Sequence, residues 1–170
     1  CAAAAQAEGR EDLFARLRVA KRRTALAIAL GDIAGALSLD EVTGALTRLA
    51  DAAVSAALAF FLRTETQSGR FRPADLSAPA LESGIIVLAM GKYGAFELNY
   101  SSDIDFVVFF DAARIPVADG VQLVPFLVRV VQNVVKALQE RTGDGYVFRT
   151  DLRLRPDAGA TQIAVSTEAA

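Results

Sequence analysis

The apolar pattern of this sequence changes period once, near residue 64, and that change limits the folds open to the chain. Up to Arg63 the inward-facing residues recur at three- and four-residue spacing, the stripe of a helix against a core. From about Glu11 to Leu37 the set is Leu13, Phe14, Leu17, Ala20, Thr24 and Ile28. Gly31-Asp32-Ile33-Ala34-Gly35 weakens this helix, and Ser38-Leu39-Asp40-Glu41 reads as a capping box that opens a second one. The second helix runs to about Phe61 or Arg63 on Val42, Leu46, Leu49, Val54, Leu58 and Phe61. Its many alanines predict close packing. Arg10, Arg16, Arg18, Lys21, Arg22 and Arg23 read as a solvated helix face, with contact to an acidic partner or phosphate as the alternative.

Residues 64–83, with Pro73 and Pro79 among Thr, Gln, Ser and Gly, read as a linker. Beyond Gly84 the apolar residues come in short unbroken runs. Ile85 to Met90 is the length of a buried strand, followed by the turn Gly91-Lys92-Tyr93-Gly94 and a further helical turn over Ala95 to Leu98. Asp103 to Phe110 is a second strand and Asp111 to Gly120 a loop. Val121 to Arg141 is a helix, in which Pro125 is tolerable only in the first turn. After the turn Gly143-Asp144-Gly145, Tyr146 to Arg155 alternates as a third strand that Pro156 stops, and Thr161 to Ser166 reads as a fourth. The fold class is α+β: a helical segment over 1–63, a linker over 64–83 and an α+β domain over 84–170. No apolar stretch approaches the ~18 residues of a spanning helix, so no membrane is expected. No charged n-region precedes a long apolar stretch, so no secretory signal is expected and the location is taken as cytoplasmic. Cys1 in place of an initiator Met makes a piece of a longer chain the expectation.

The sequence contains no histidine and one cysteine, Cys1. That excludes His-based relays, His-ligated metal and cysteine clusters within the chain. Chemistry falls to Asp, Glu, Lys, Arg, Ser, Thr and Tyr, and carboxylates holding hard cations lead. The formal net charge of −2 gives no global pull toward nucleic acid, and none is expected as a partner.

Asp103 and Asp105 alternate onto one face of the second strand, roughly 7 Å apart, and everything after them is apolar. Two carboxylates so placed repel unless a cation neutralises them, and Mg²⁺ takes one or two carboxylates plus phosphate oxygens. On the third strand Arg149, Asp151, Arg153 and Arg155 form a charged face against Tyr146, Phe148, Leu152 and Leu154. Asp151 completes a triad if the strands are neighbours. An Asp-x-Asp pair alone is weak, and Gly91-Lys92 alone is a strand-to-helix turn.

Gly91-Lys92, ten residues and Asp103-Ile104-Asp105-Phe106 resemble the nucleotidyltransferase signature of the DNA polymerase beta superfamily. More narrowly, Met90 to Asp105 and Asp144 to Pro156 resemble the two blocks of the bifunctional glutamine synthetase adenylyltransferase/adenylyl-removing enzymes. The resemblance covers most of the chain. It implies a polymerase beta-like domain with a small mixed sheet flanked by helices, expected to be truncated at its C-terminus. It implies catalysis by Asp103, Asp105 and Asp151 as ligands of Mg²⁺ or Mn²⁺, with Gly91, Lys92, Gly94, Ser101, Ser102 and Arg153 binding phosphate of ATP, ADP or an AMP moiety. Lys92 stands where much of the superfamily has Ser, a feature shared with the narrower family. The implied partners are glutamine synthetase and, for the full-length family enzyme, the regulatory PII protein. The implied reaction is removal of AMP from a tyrosine of glutamine synthetase by phosphorolysis, releasing ADP. The alternatives are transfer of AMP from ATP in the other direction, and a non-catalytic docking module working through the basic helix.

Overall fold

A computed structural model describes residues 1–75, 80, 83–151 and 164–168. A short helix α1 (Ala2–Ala5) leads into two long ones, α2 (Arg10–Ile33) and α3 (Leu39–Gln67). Helix α2 ends four residues before Leu37. The chain turns back at Gly35 (φ +65°), and the Ala36 and Leu37 amides bond to Gly31 O. Leu37 then lies on Gly31, where any added Cβ would come within 2.8 Å of its side chain. The capping box forms as read: Ser38 Oγ accepts from the Glu41 amide and the Glu41 carboxylate accepts from the Ser38 amide.

Helix α3 runs a full turn beyond Arg63. That turn looks polar, but Glu65 points inward to Arg70 and Arg129, an anchor that hydropathy cannot reveal. Helix α3 also corrects the expectation about apolar length, because by length and composition it is long and apolar enough to cross a membrane. Its alanines raise the hydropathy without unbroken bulk. Here it is the central core helix, with 67% of that apolar window buried.

Strand β1 (Ile85–Met90) pairs antiparallel with β2 (Ile104–Phe110), in a register that sets Met90 opposite Asp105. On its other edge β2 pairs in parallel with β3 (Thr150–Asp151) and with β4 (Ala164–Ser166). The result is a small mixed sheet with β2 inside. Ile85, Val87, Phe106 and Val108 face Val54 and Leu58 of α3 and Val131 and Val134 of α5 (Leu123–Gln139). One hydrophobic cluster therefore joins helices and sheet, from Leu13 and Leu17 through Phe61 to Phe106, Leu138 and Phe148. Pro125 falls in the first turn of α5, as required. A short helix α4 (Gly91–Gly94) replaces the turn expected there, and Ala95–Leu98 is not helical.

Two further expectations are corrected. The alternation from Tyr146 does not make a strand up to Arg149: Val147 and Phe148 are both buried and both amides bond to Leu138 O, so pairing with β2 starts at Thr150. Residues 152–155 of that strand and 161–163 of the fourth lie outside the described residues. Arg18 is not on a solvated face, for it is fully buried. Its guanidinium donates to the carbonyls of Phe14, Ala137, Glu140 and Gly145, among them a last-turn carbonyl of α5 and that of its cap residue.

Candidate active site

The site is assembled where β1 ends and β2 begins. Gly91 has φ +54°, and a Cβ there would stand 3.1 Å from Asp105 Oδ2, so backbone and carboxylate approach as only glycine permits. At Gly94 a Cβ would meet Ala89 O at 2.6 Å. Between them Tyr93 turns inward, 3% exposed, and its hydroxyl donates to Asp51 Oδ1 of α3 at 2.7 Å. Burial and the neighbouring Asp51 carboxylate push that phenol well above its ordinary pKa, so it remains a donor. Lys92 is exposed.

The segment leading to β2 is folded on itself. Asn99 Oδ1 accepts from the amide and hydroxyl of Ser101, at 3.0 and 3.1 Å, and the Asn99 amide donates to Ser102 Oγ at 3.0 Å. Ser101 therefore commits its proton inside the loop, whereas Ser102 keeps its own for another acceptor. Tyr100 donates to Asp32 Oδ2 of α2 at 3.1 Å. Desolvation and that carboxylate hold its phenol above the ordinary value.

The three acids are brought to one edge of the sheet but not into one cluster. Asp105 and Asp151 are register partners on adjacent parallel strands, so both point to one face from backbones roughly 4.8 Å apart. Both are half-buried. Asp103, exposed at the start of β2, is ion-paired with Arg149 Nε, and Arg149 Nη2 also donates to Ser101 O at 3.0 Å. Among the described residues no group of three or more Asp, Glu, His or Cys stands close enough to hold a metal ion. Arg149 supplies positive charge beside Asp103.

Arg149 was not among the predicted site residues. Its signal was its place on the charged alternation two residues before Asp151, but only the register shows that it reaches Asp103. Arg153 lies outside the described residues. The assembled set is three carboxylates with Arg149 and Lys92 beside a glycine-bounded turn, chemistry suited to a hard divalent cation bridging to phosphate oxygens.

A family model described as glutamate-ammonia ligase adenylyltransferase matches residues 2–170. The chain is 52% identical over 170 residues to the bifunctional glutamine synthetase adenylyltransferase/adenylyl-removing enzyme of Xanthobacter autotrophicus, covering 100% of this chain and 17% of that protein. It is 54% identical over 162 residues to the protein of that name from Bradyrhizobium sp., covering 95% and 16%. For that of Rhizobium meliloti the figures are 50% over 159 residues, 94% and 16%. The chain thus spans 16–17% of the length of these curated relatives. With a family match over nearly every residue and about half of all positions identical to these relatives, this chain belongs to the glutamate-ammonia ligase adenylyltransferase family.

Proposed function

We propose that this chain is a metal-dependent nucleotidyltransferase unit that removes AMP from an adenylylated tyrosine of glutamine synthetase by phosphorolysis. The carrying observation is the edge formed by Asp103, Asp105 and Asp151, with the Gly91 backbone against Asp105. The relatives' names, which carry adenylylation and adenylyl removal together, supply the reaction class.

Asp105 and Asp151 would hold Mg²⁺ or Mn²⁺, with Asp103 as a further ligand once Arg149 leaves it. The cation would polarise the phosphoryl group and offset charge on the attacking and leaving oxygens. An oxygen of inorganic phosphate forms the new bond to phosphorus, the bond to the tyrosyl oxygen breaks, and that oxygen takes up a proton. The products are ADP and glutamine synthetase with its tyrosine hydroxyl restored. Phosphate is already anionic, so no strong general base is required. Among the described residues, Arg149, 60% exposed, and Lys92 are cations that phosphate oxygens can reach at this edge.

The test supplies adenylylated glutamine synthetase, phosphate and Mg²⁺ and follows ADP. Release that needs both phosphate and metal is expected, with Asp105→Asn and Asp103→Asn each slower by on the order of a hundredfold. AMP transfer from ATP instead would assign the opposite direction. Full turnover by Asp105→Asn would sink the metal reading, and silence in both directions would favour a docking module.

A further inference from the structure

Among the described residues Phe96 is the only non-glycine with positive φ, at +61°. The cause is local. Phe96 N donates to Tyr93 O at 3.3 Å and Glu97 N to Lys92 O at 2.8 Å, the paired bonds of a Schellman ending on α4. The left-handed position of that motif favours glycine, and a bulky side chain is strained there. The chain uses glycine at its six other positive-φ positions among the described residues.

Core packing among the described residues does not account for the exception: Phe96 is 51% exposed and stands outside their hydrophobic cluster. A strained residue that leaves half of its ring outside the described core points to a contact made with something else. Four residues on, Tyr100 is 46% exposed, yet its ring is held by the bond to Asp32. Both ends of this segment lie a few residues along the chain from the acid site. At helical rise Phe96 lies about 8 Å along the chain from Gly91, which abuts Asp105. Three residues put Tyr100 no more than about 11 Å from Asp103.

The geometry points to Phe96, with Tyr100, as the surface that takes a flat ring of the substrate: adenine, or the tyrosine ring that carries the AMP. This rests on the reading of the acid site given above. Aromatic side chains standing half in water suit stacking on such rings, whichever of the two is presented.

The decisive variant is Phe96→Gly, because function and stability should then part. Glycine accepts φ +61°, so the melting temperature should hold or rise. Calorimetric affinity for ADP with Mg²⁺ should weaken about tenfold if the ring is adenine. If ADP binds unchanged while KM for adenylylated glutamine synthetase rises by a similar factor, the ring is the tyrosine. Tyr100→Leu should move the same parameter. Unchanged ADP affinity and unchanged KM in Phe96→Gly overturn the inference, as does a fall in melting temperature of the size of a core truncation. Asp105→Asn in the same assays keeps the two readings apart: if it loses turnover while Phe96→Gly is silent, only this inference fails. If Asp105→Asn keeps full turnover, the acid site itself is wrongly read.

Discussion

Gly91 and Gly94 are three residues apart, and different forces require glycine at each. At Gly94 the obstacle is a backbone oxygen, Ala89 O, that cannot swing aside. Gly94→Ala should therefore force β1 and α4 apart and destabilise by about 1–3 kcal/mol, read by denaturant or thermal unfolding. At Gly91 the neighbour is the carboxylate of Asp105, which can rotate, while φ +54° costs alanine about 1 kcal/mol. Gly91→Ala should thus melt close to the parent chain yet lose more turnover than Gly94→Ala loses relative to its stability. An equal loss of stability in both variants would contradict this division. Both glycines were legible in the sequence as the ends of a turn after the first strand, with phosphate binding implied only by the family resemblance. That Gly94 serves strand-to-helix packing was not, because the close approach exists only once β1 and α4 are folded together.

Helices α2 and α3 are tied to each segment that carries the site: Asp51 to Tyr93, Asp32 to Tyr100, and Arg18 to Glu140 and Gly145 before Arg149. The strongest tie is Arg18. Replacing it by Met would strand the carbonyls of Ala137, Glu140 and Gly145, and should destabilise by about 3 kcal/mol in chemical unfolding. A change within error would mean that water takes over those carbonyls. Helices α2, α3 and α5 and the first two strands were readable because each has one clean period, 3.6 or 2. Arg18 also left a trace, four residues after Phe14 and next to Leu17 on the apolar stripe, but its charge type argued for solvent. The stretch from Tyr146 misled for a physical reason: alternation in sequence needs a partner strand, and Val147 and Phe148 instead bond to the end of α5. The three acids were legible as residue types on strands, and the structure brings them to one edge of the sheet without joining them in one cluster among the described residues. The Asp103–Arg149 pairing was not, since it depends on parallel register between segments 46 residues apart.

At the scale of the molecule, Glu65 fastens the helical half to the α+β half. Its carboxylate, 6% exposed at the end of α3, accepts from Arg70 in the following segment and from Arg129 on α5. Around it Phe71 stacks on Phe126 with ring centres 5.9 Å apart, and Arg72 N and Ala118 N close backbone bonds between the two segments. Burial pushes the Glu65 carboxyl up, but the bonds and charges of the two arginines outweigh it and hold its pKa below the ordinary 4.5. The sign follows from linkage. A folded-state value below the unfolded one gives stability that is fully present above about pH 4.5 and is lost as pH falls through the lowered folded value. Other carboxylates titrate in the same range, so the informative quantity is a difference. Glu65→Gln keeps the shape but leaves two guanidiniums facing a neutral amide, and should melt well below the parent chain at pH 7. As pH is lowered past 4.5 the parent should lose stability faster, and the two melting curves should converge. Curves that stay parallel down to pH 3 would show that the Glu65 charge does not hold the halves together, leaving the shared apolar core to do so alone.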